Sequence, residues 1–339
     1  MPKPLQGLVN HFASHASSHP TRVTPQNGRT FIITNGATGP GYYMTKSLYR
    51  AGATLYIFSH PKAAALTAIS SIRQDVLNST PPMRAGDSEP PILRVGKLRA
   101  VECDLENLES VKGAVEWFLE RESGVHGVVH VLGNMRAGDG MEGHGGESEE
   151  IGLFLLMKLL LPVFARTARR CDKGSVRLIW SLWNPQGSRG RTLRSQIRPG
   201  AKHDTSQHME KEKNVLLLAH GFAKRYAHST GIVSVMQGAG LSHTSGRAAL
   251  SRLLRYSSCG RSVPLEDRVC RMLWEAMNTR VTTEATGVCV LRSERTPQWL
   301  RLRPGSSEGK QLATGKENSV IGEAETFWEW CEEAVEDYA

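Results

Sequence analysis

With 339 residues, 40% hydrophobic and 22% charged, the chain can bury one large α/β core or two ordinary ones. Its formal net charge of +9 suits an anionic partner, but the basic stretch Arg189, Arg191, Arg194 and Arg198 carries no interleaved aromatic residue, so it reads as a solvated loop and nucleic acid is not expected. No uninterrupted apolar run is as long as a membrane span, no apolar signal core lies within Met1 to Thr24, and the cysteines form no CxxC pair; the expectation is a cytoplasmic chain with reduced thiols, no membrane and no metal.

Residues 1–24 read as a flexible arm, in which His11, His15 and His19 would share a face only if the arm were helical. Strands are then predicted at Thr30 to Thr34, Thr54 to Ser59, Leu98 to Cys103, Val125 to Leu132, Val176 to Ser181, Ile232 to Met236 and Gly287 to Leu291. Helical patterns alternate with them at Tyr42 to Ala51, Lys62 to Leu77, Leu108 to Arg121, Glu149 to Arg169, Gln207 to Ser229 and Leu265 to Thr279, and an acidic helix closes the chain. Strand-helix alternation of this kind builds a parallel sheet, so the expected fold is one Rossmann-type, doubly wound α/β domain over 25–339 with a seven-stranded parallel sheet. Insertions are placed near 79–91, 134–148 and 185–206, where Gly, Pro and polar residues gather.

The first strand runs into Thr34-Asn35-Gly36-Ala37-Thr38-Gly39-Pro40-Gly41 and then directly into a helix. Glycine admits a close backbone approach, and a helix N-terminus carries unpaired N–H groups and a positive dipole end, so an anionic pyrophosphate fits there. This segment resembles the TGxxxGxG turn of the short-chain dehydrogenase/reductase family, with Gly39 and Gly41 matching and Asn35 in place of the first glycine. Tyr42-Tyr43, Asn214-Val215-Leu216 and the tail Phe327-Trp328-Glu329-Trp330-Cys331-Glu332-Glu333 are similar to filamentous-fungal members related to light-induced alcohol dehydrogenase and retinol dehydrogenase-like groups. That resemblance implies a nicotinamide cofactor, a small-molecule substrate and a role in secondary metabolism. It also implies a homodimer or homotetramer through the helices at 149–169 and 207–229.

The resemblance assigns further cofactor contacts. Asp104, after strand three, stands where the family contacts the adenine amine, with a local structural role as the alternative. His60 falls where NADP-using members carry a basic residue, and strand two ends without an acidic one, which favours NADP over NAD. Gly240 and Thr244 match the Pro-Gly and Thr that flank the nicotinamide.

The family's chemistry uses a Tyr, a Lys, a Ser and an Asn. Anchoring the sixth helix on Asn214 puts Lys211 at the lysine position and Gln207 at the tyrosine position, and glutamine cannot ionise in the useful range. Glu149 stands where the asparagine belongs, His130-Val131-Leu132-Gly133 replaces the NNAG segment, and Ser181 is the candidate serine, one or two residues early or aligned through a small deletion. His203, Asp204 or His208 could supply a substitute acid. Tyr42 to Lys46 is the sequence's YxxxK match, but it lies beside the glycine turn, the wrong place for catalysis. Three functions therefore stay open: an NADP(H)-dependent oxidoreductase, a repurposed enzyme catalysing a non-redox step, and a non-catalytic binding partner.

Overall fold

The computed structural model describes residues 23–79, 95–132, 148–183, 204–239, 265–277, 288–293, 296–300 and 317–339. Five buried residues, Thr-Phe-Ile-Ile-Thr, make strand β1 (Thr30–Thr34), as β-branched and aromatic side chains suit a pleat covered on both faces. Around it lie β2 (Thr54–Ser59), β3 (Lys97–Glu102), β4 (Gly127–Val131), β5 (Arg177–Trp183), β6 (Val233–Ala239), β7 (Val288–Ser293) and β8 (Thr296–Leu300), in the order β3-β2-β1-β4-β5-β6-β7-β8. Strands β1 to β7 are parallel, as expected. An eighth strand, not predicted, pairs antiparallel with β7 at the sheet edge. Pro297 within it hides the strand signal, and an edge is where a strand tolerates proline.

The connecting helices are α1 (Gly39–Arg50), α2 (Lys62–Asn78), α3 (Leu108–Leu119), α4 (Glu149–Ala168), α5 (Asp204–Thr230), α6 (Leu265–Ala276) and α7 (Glu317–Ala334). Two apolar cores separate them into layers. Ile33, Ile57, Val129 and Ile179 of the sheet pack with Leu48 of α1, Ile72 of α2 and Leu273 of α6. From the other face Ile32, Val128 and Trp180 pack with Phe118 of α3, Phe154 of α4, Phe222 of α5 and Trp328 of α7. The chain reverses direction across the sheet between β1 and β4, which opens a crevice at the carboxyl ends of those strands.

Helix α4 is long and apolar enough to cross a membrane, but it is mostly buried here among α3, α5 and α7. Hydrophobicity all round a helix marks a core helix when neighbours cover it. The two helices that the resemblance assigns to a subunit interface, α4 and α5, both contact α7 of the same chain. Residues 1–22 of the arm, and most of the three insertions, lie outside the described residues.

Candidate functional site

The turn between β1 and α1 is shaped by two left-handed residues, Asn35 at φ 54° and Gly39 at φ 51°. A Cβ on Gly41 would stand 2.9 Å from the carbonyl carbon of Asn35 and closer to its oxygen, so the helix start passes too near the turn for any other residue. The Thr45 hydroxyl lies 2.9 Å from the carbonyl oxygens of both Gly36 and Gly41 and fastens the turn from beneath. Thr38 occupies the N-cap position of α1 in an extended conformation but its side chain makes no capping hydrogen bond, and the first turn holds no acidic residue. The positive end of α1 is thus left open to an anion, so these residues fit a dinucleotide pyrophosphate.

Asparagine at position 35 does not fill that cradle. Its amide turns toward β4 and α4, donating to the Val131 carbonyl at 2.9 Å and to Glu149 Oε1 at 3.1 Å. Glu149 opens α4, where the helix dipole favours a carboxylate. Its second oxygen, Oε2, accepts from Lys211 Nζ at 3.4 Å. The structure therefore brings together three of the predicted residues, Asn35, Glu149 and Lys211, at the crevice beside β1 and β4.

By sequence, His130 marks only the loss of a motif. It lies on β4 beneath this group, fully buried, with Nδ1 2.8 Å from Thr34 Oγ1 and Nε2 without a partner among the described residues. Burial lowers its pKa from 6.5 to about 4; Glu149 raises it and Lys211 lowers it by smaller amounts. The ring is neutral near pH 7. Ser181 is not part of the group. It alternates with Trp180 along β5, so it faces the α1–α2–α6 layer, fully buried and with Oγ unpartnered among the described residues, while α4 and α5 cover the other face.

At the far end of the crevice the structure corrects one premise. Strand β2 ends without an acid, but β3 supplies one: Glu102 Oε1 lies 2.6 Å from His60 Nδ1, and Oε2 accepts from the Lys62 backbone N–H at 2.7 Å. His60 and Lys62 are accordingly not a purely basic end. The strand register could have shown this, since Glu102 is paired with Ser59, the last residue of β2. Asp104 accepts from the Glu106 N–H at 3.0 Å and closes a local turn, which is the local structural role open to it, while Asn107 rather than Asp104 caps α3.

The YxxxK match beside the turn is a structural cluster. The Tyr42 hydroxyl donates to Asp75 Oδ2 at 2.9 Å, and Lys46 Nζ reaches Asp75 at 3.2 Å and Glu266 at 3.4 Å, joining α1 to α2 and α6. Burial, then Asp75, push the Tyr42 hydroxyl up to about 12. Gln207 lies in α5 one turn before Lys211, and Asp204 and His208 lie near it on the same helix; the side chains of all three are outside the described residues. His203, Gly240 and Thr244 are outside them altogether. Among the described residues no cluster of His, Cys, Asp or Glu could hold a metal ion.

No family profile matches the chain. Among curated proteins it is similar to the short-chain dehydrogenase/reductase bet4 of Neocamarosporium betae, at 28% identity over 92% of this chain and 88% of that one. It is also similar to the short-chain dehydrogenase/reductase iacJ of Pestalotiopsis fici, at 27% identity over 91% and 90%. A solved structure described as the Pseudomonas aeruginosa RhlG/NADP active-site complex covers 80% of this chain and 96% of its own, with a TM-score of 0.50 at 16% identity, a likeness of fold. Near full-length similarity to these relatives agrees with the glycine turn, the strand order and the lysine-bearing helix, so the chain is similar to short-chain dehydrogenase/reductases over nearly its whole length.

Proposed function

We propose that the chain is an NADP(H)-dependent oxidoreductase of a small carbonyl or alcohol substrate. The observation that carries this reading is the uncapped N-terminus of α1 behind the glycine turn, at the same crevice as the Lys211–Glu149 pair. Similarity to fungal short-chain dehydrogenase/reductases supports it, as does likeness of fold to a protein whose title names an NADP complex. A bound nicotinamide supplies or accepts the hydride. The chain's own residues would do the rest: the turn holds the pyrophosphate, Asp104 lies toward the adenine, Lys62 and His60 meet the 2′-phosphate, and Lys211 presents a fixed ammonium to the nicotinamide ribose.

The family's proton donor is absent, because Gln207 hydrogen-bonds but does not ionise. This favours a second reading, a non-redox step such as cyclisation or isomerisation on the same fold. One experiment separates the two. Purified protein is titrated with NADPH and NADH by tryptophan fluorescence, then NADPH oxidation is followed over a panel of ketones and aldehydes with products identified by mass. Binding with turnover supports the oxidoreductase; binding without turnover moves the conclusion to the second reading; no binding at millimolar nucleotide overturns both the cofactor and the redox function.

A further inference from the structure

Two of the chain's departures from the family's pattern, Asn35 in the glycine turn and Glu149 at the start of α4, touch each other. We propose that Glu149 is a positioning residue that couples the glycine turn to the ammonium of Lys211, with Asn35 as its partner on the turn. The inference rests on the nucleotide-binding reading above and assigns the site a device that the family's glycine and asparagine cannot form.

The geometry is that of a bridging carboxylate. Oε1 takes the Asn35 amide at 3.1 Å and Oε2 takes Lys211 Nζ at 3.4 Å, so one rigid group spans the turn and α5. The Asn35 amide makes a second bond, to the Val131 carbonyl at 2.9 Å, which pins it to β4 and fixes where it points. Side-chain exposure is 18% for Glu149 and 31% for Lys211, so the pair is shielded well beyond an ordinary surface ion pair. The left-handed backbone at Asn35 is what aims the amide this way, and asparagine adopts φ 54° more readily than other non-glycine residues.

Each substitution also explains the other. A glycine at 35 would leave Glu149 Oε1 without its amide donor, and an uncharged residue at 149 would leave Lys211 without its counter-ion. Movement of the turn, as an anion enters it, is thereby transmitted to Lys211 through Glu149.

A mutant cycle in the full chain tests this. Asn35→Gly removes the amide while keeping the backbone conformation. Lys211→Met removes the ammonium, Glu149→Ala removes the bridge, and Glu149→Gln keeps an acceptor for Asn35 while removing the charge. The readouts are the NADPH dissociation constant and the urea denaturation midpoint. We expect Asn35→Gly and Lys211→Met to be non-additive by about three- to tenfold in dissociation constant when Glu149 is intact, and additive when it is Glu149→Ala. With Glu149→Gln the coupling to Asn35 persists in the denaturation midpoint, while the coupling to Lys211 is lost. Additive effects with Glu149 intact, or coupling that survives in Glu149→Ala, overturn the proposal. Should Glu149→Ala not fold, the Glu149→Gln arm decides by the same criterion. If no nucleotide binds, the oxidoreductase reading falls, and the cycle read by denaturation still tests the bridge.

Discussion

The indole of Trp328 on α7 lies over Gly221 of α5, where a Cβ would stand 2.8 Å from Cζ3 and closer still to Cε3. Phe154 and Phe222 meet the indole edge-on at centroid distances of 4.8 and 4.9 Å, Arg225 stacks over it at 4.2 Å, and Glu325 pairs with Lys224 and Arg225 on α5. The C-terminal helix is therefore part of the core. Trp328→Ala should cost about 3–5 kcal/mol in denaturant unfolding, the range for deleting a buried aromatic side chain. Gly221→Val should loosen α7 by filling the notch, raising amide exchange across residues 324–335, and the bared Phe154 and Phe222 should promote self-association seen by light scattering. Unchanged stability in Trp328→Ala would mean that α7 merely rests on the domain.

The core strands and the glycine turn were legible in the sequence because they depend on local pattern: β1, with five buried residues, reads directly as a strand, and Gly39 and Gly41 sit at its end. What the sequence hid depended on partners far along the chain. Glu102 looks like an exposed strand residue until the β2–β3 register brings it to His60, 42 residues away. Glu149 looks like a lost asparagine until Asn35, 114 residues away, is seen to bond with it. Ser181 could not be assigned to a face of β5 without the packing of Ile179 and Trp180 on opposite sides.

Glu102 leads to a prediction about cofactor choice. Its carboxylate holds His60 and adds a negative charge where a 2′-phosphate would approach. A unit charge at about 4 Å contributes about 1 kcal/mol in water, screened further by salt. Glu102→Gln, which keeps an acceptor for the Lys62 N–H, should tighten NADPH relative to NADH by about fivefold at low ionic strength, and by less as salt is added. Fluorescence titration with both nucleotides measures the ratio. If the ratio does not move, the phosphate does not sit beside β2.

The Tyr42–Lys46 pair offers a control for the location of catalysis. Because Tyr42 bonds to Asp75 on α2, Tyr42→Phe should lower stability by about 1 kcal/mol, the size of a typical net hydrogen bond. Lys46→Met should cost more, since it leaves Asp75 and Glu266 facing each other without the ammonium between them. Any turnover found should fall by less than about twofold in Tyr42→Phe, whereas loss of a general acid or base removes about a hundred- to ten-thousand-fold. A loss of that size on Tyr42→Phe would move the reaction to the first helix.

Stability should depend on pH through His130. Its pKa is lowered from 6.5 to about 4 in the folded chain by burial, so the folded state resists protonation that the unfolded state accepts. The sign follows: stability is complete above about pH 6.5, where both states hold a neutral ring, and is lost as pH falls toward 4, where the unfolded chain binds the extra proton. Between pH 7 and pH 5 this one group should remove about 2 kcal/mol of unfolding free energy. Other histidines titrate in the same window, with His126 and His220 also lowered by burial, so the whole protein's curve cannot identify the group. His130→Asn isolates it, because asparagine keeps a polar partner for the Thr34 hydroxyl and does not titrate. The variant should be less stable than wild type at pH 7 but lose about 2 kcal/mol less on acidification to pH 5, measured by urea unfolding at each pH. Equal losses in the two proteins would place the His130 ring in contact with solvent and remove it from beneath the Asn35–Glu149–Lys211 group.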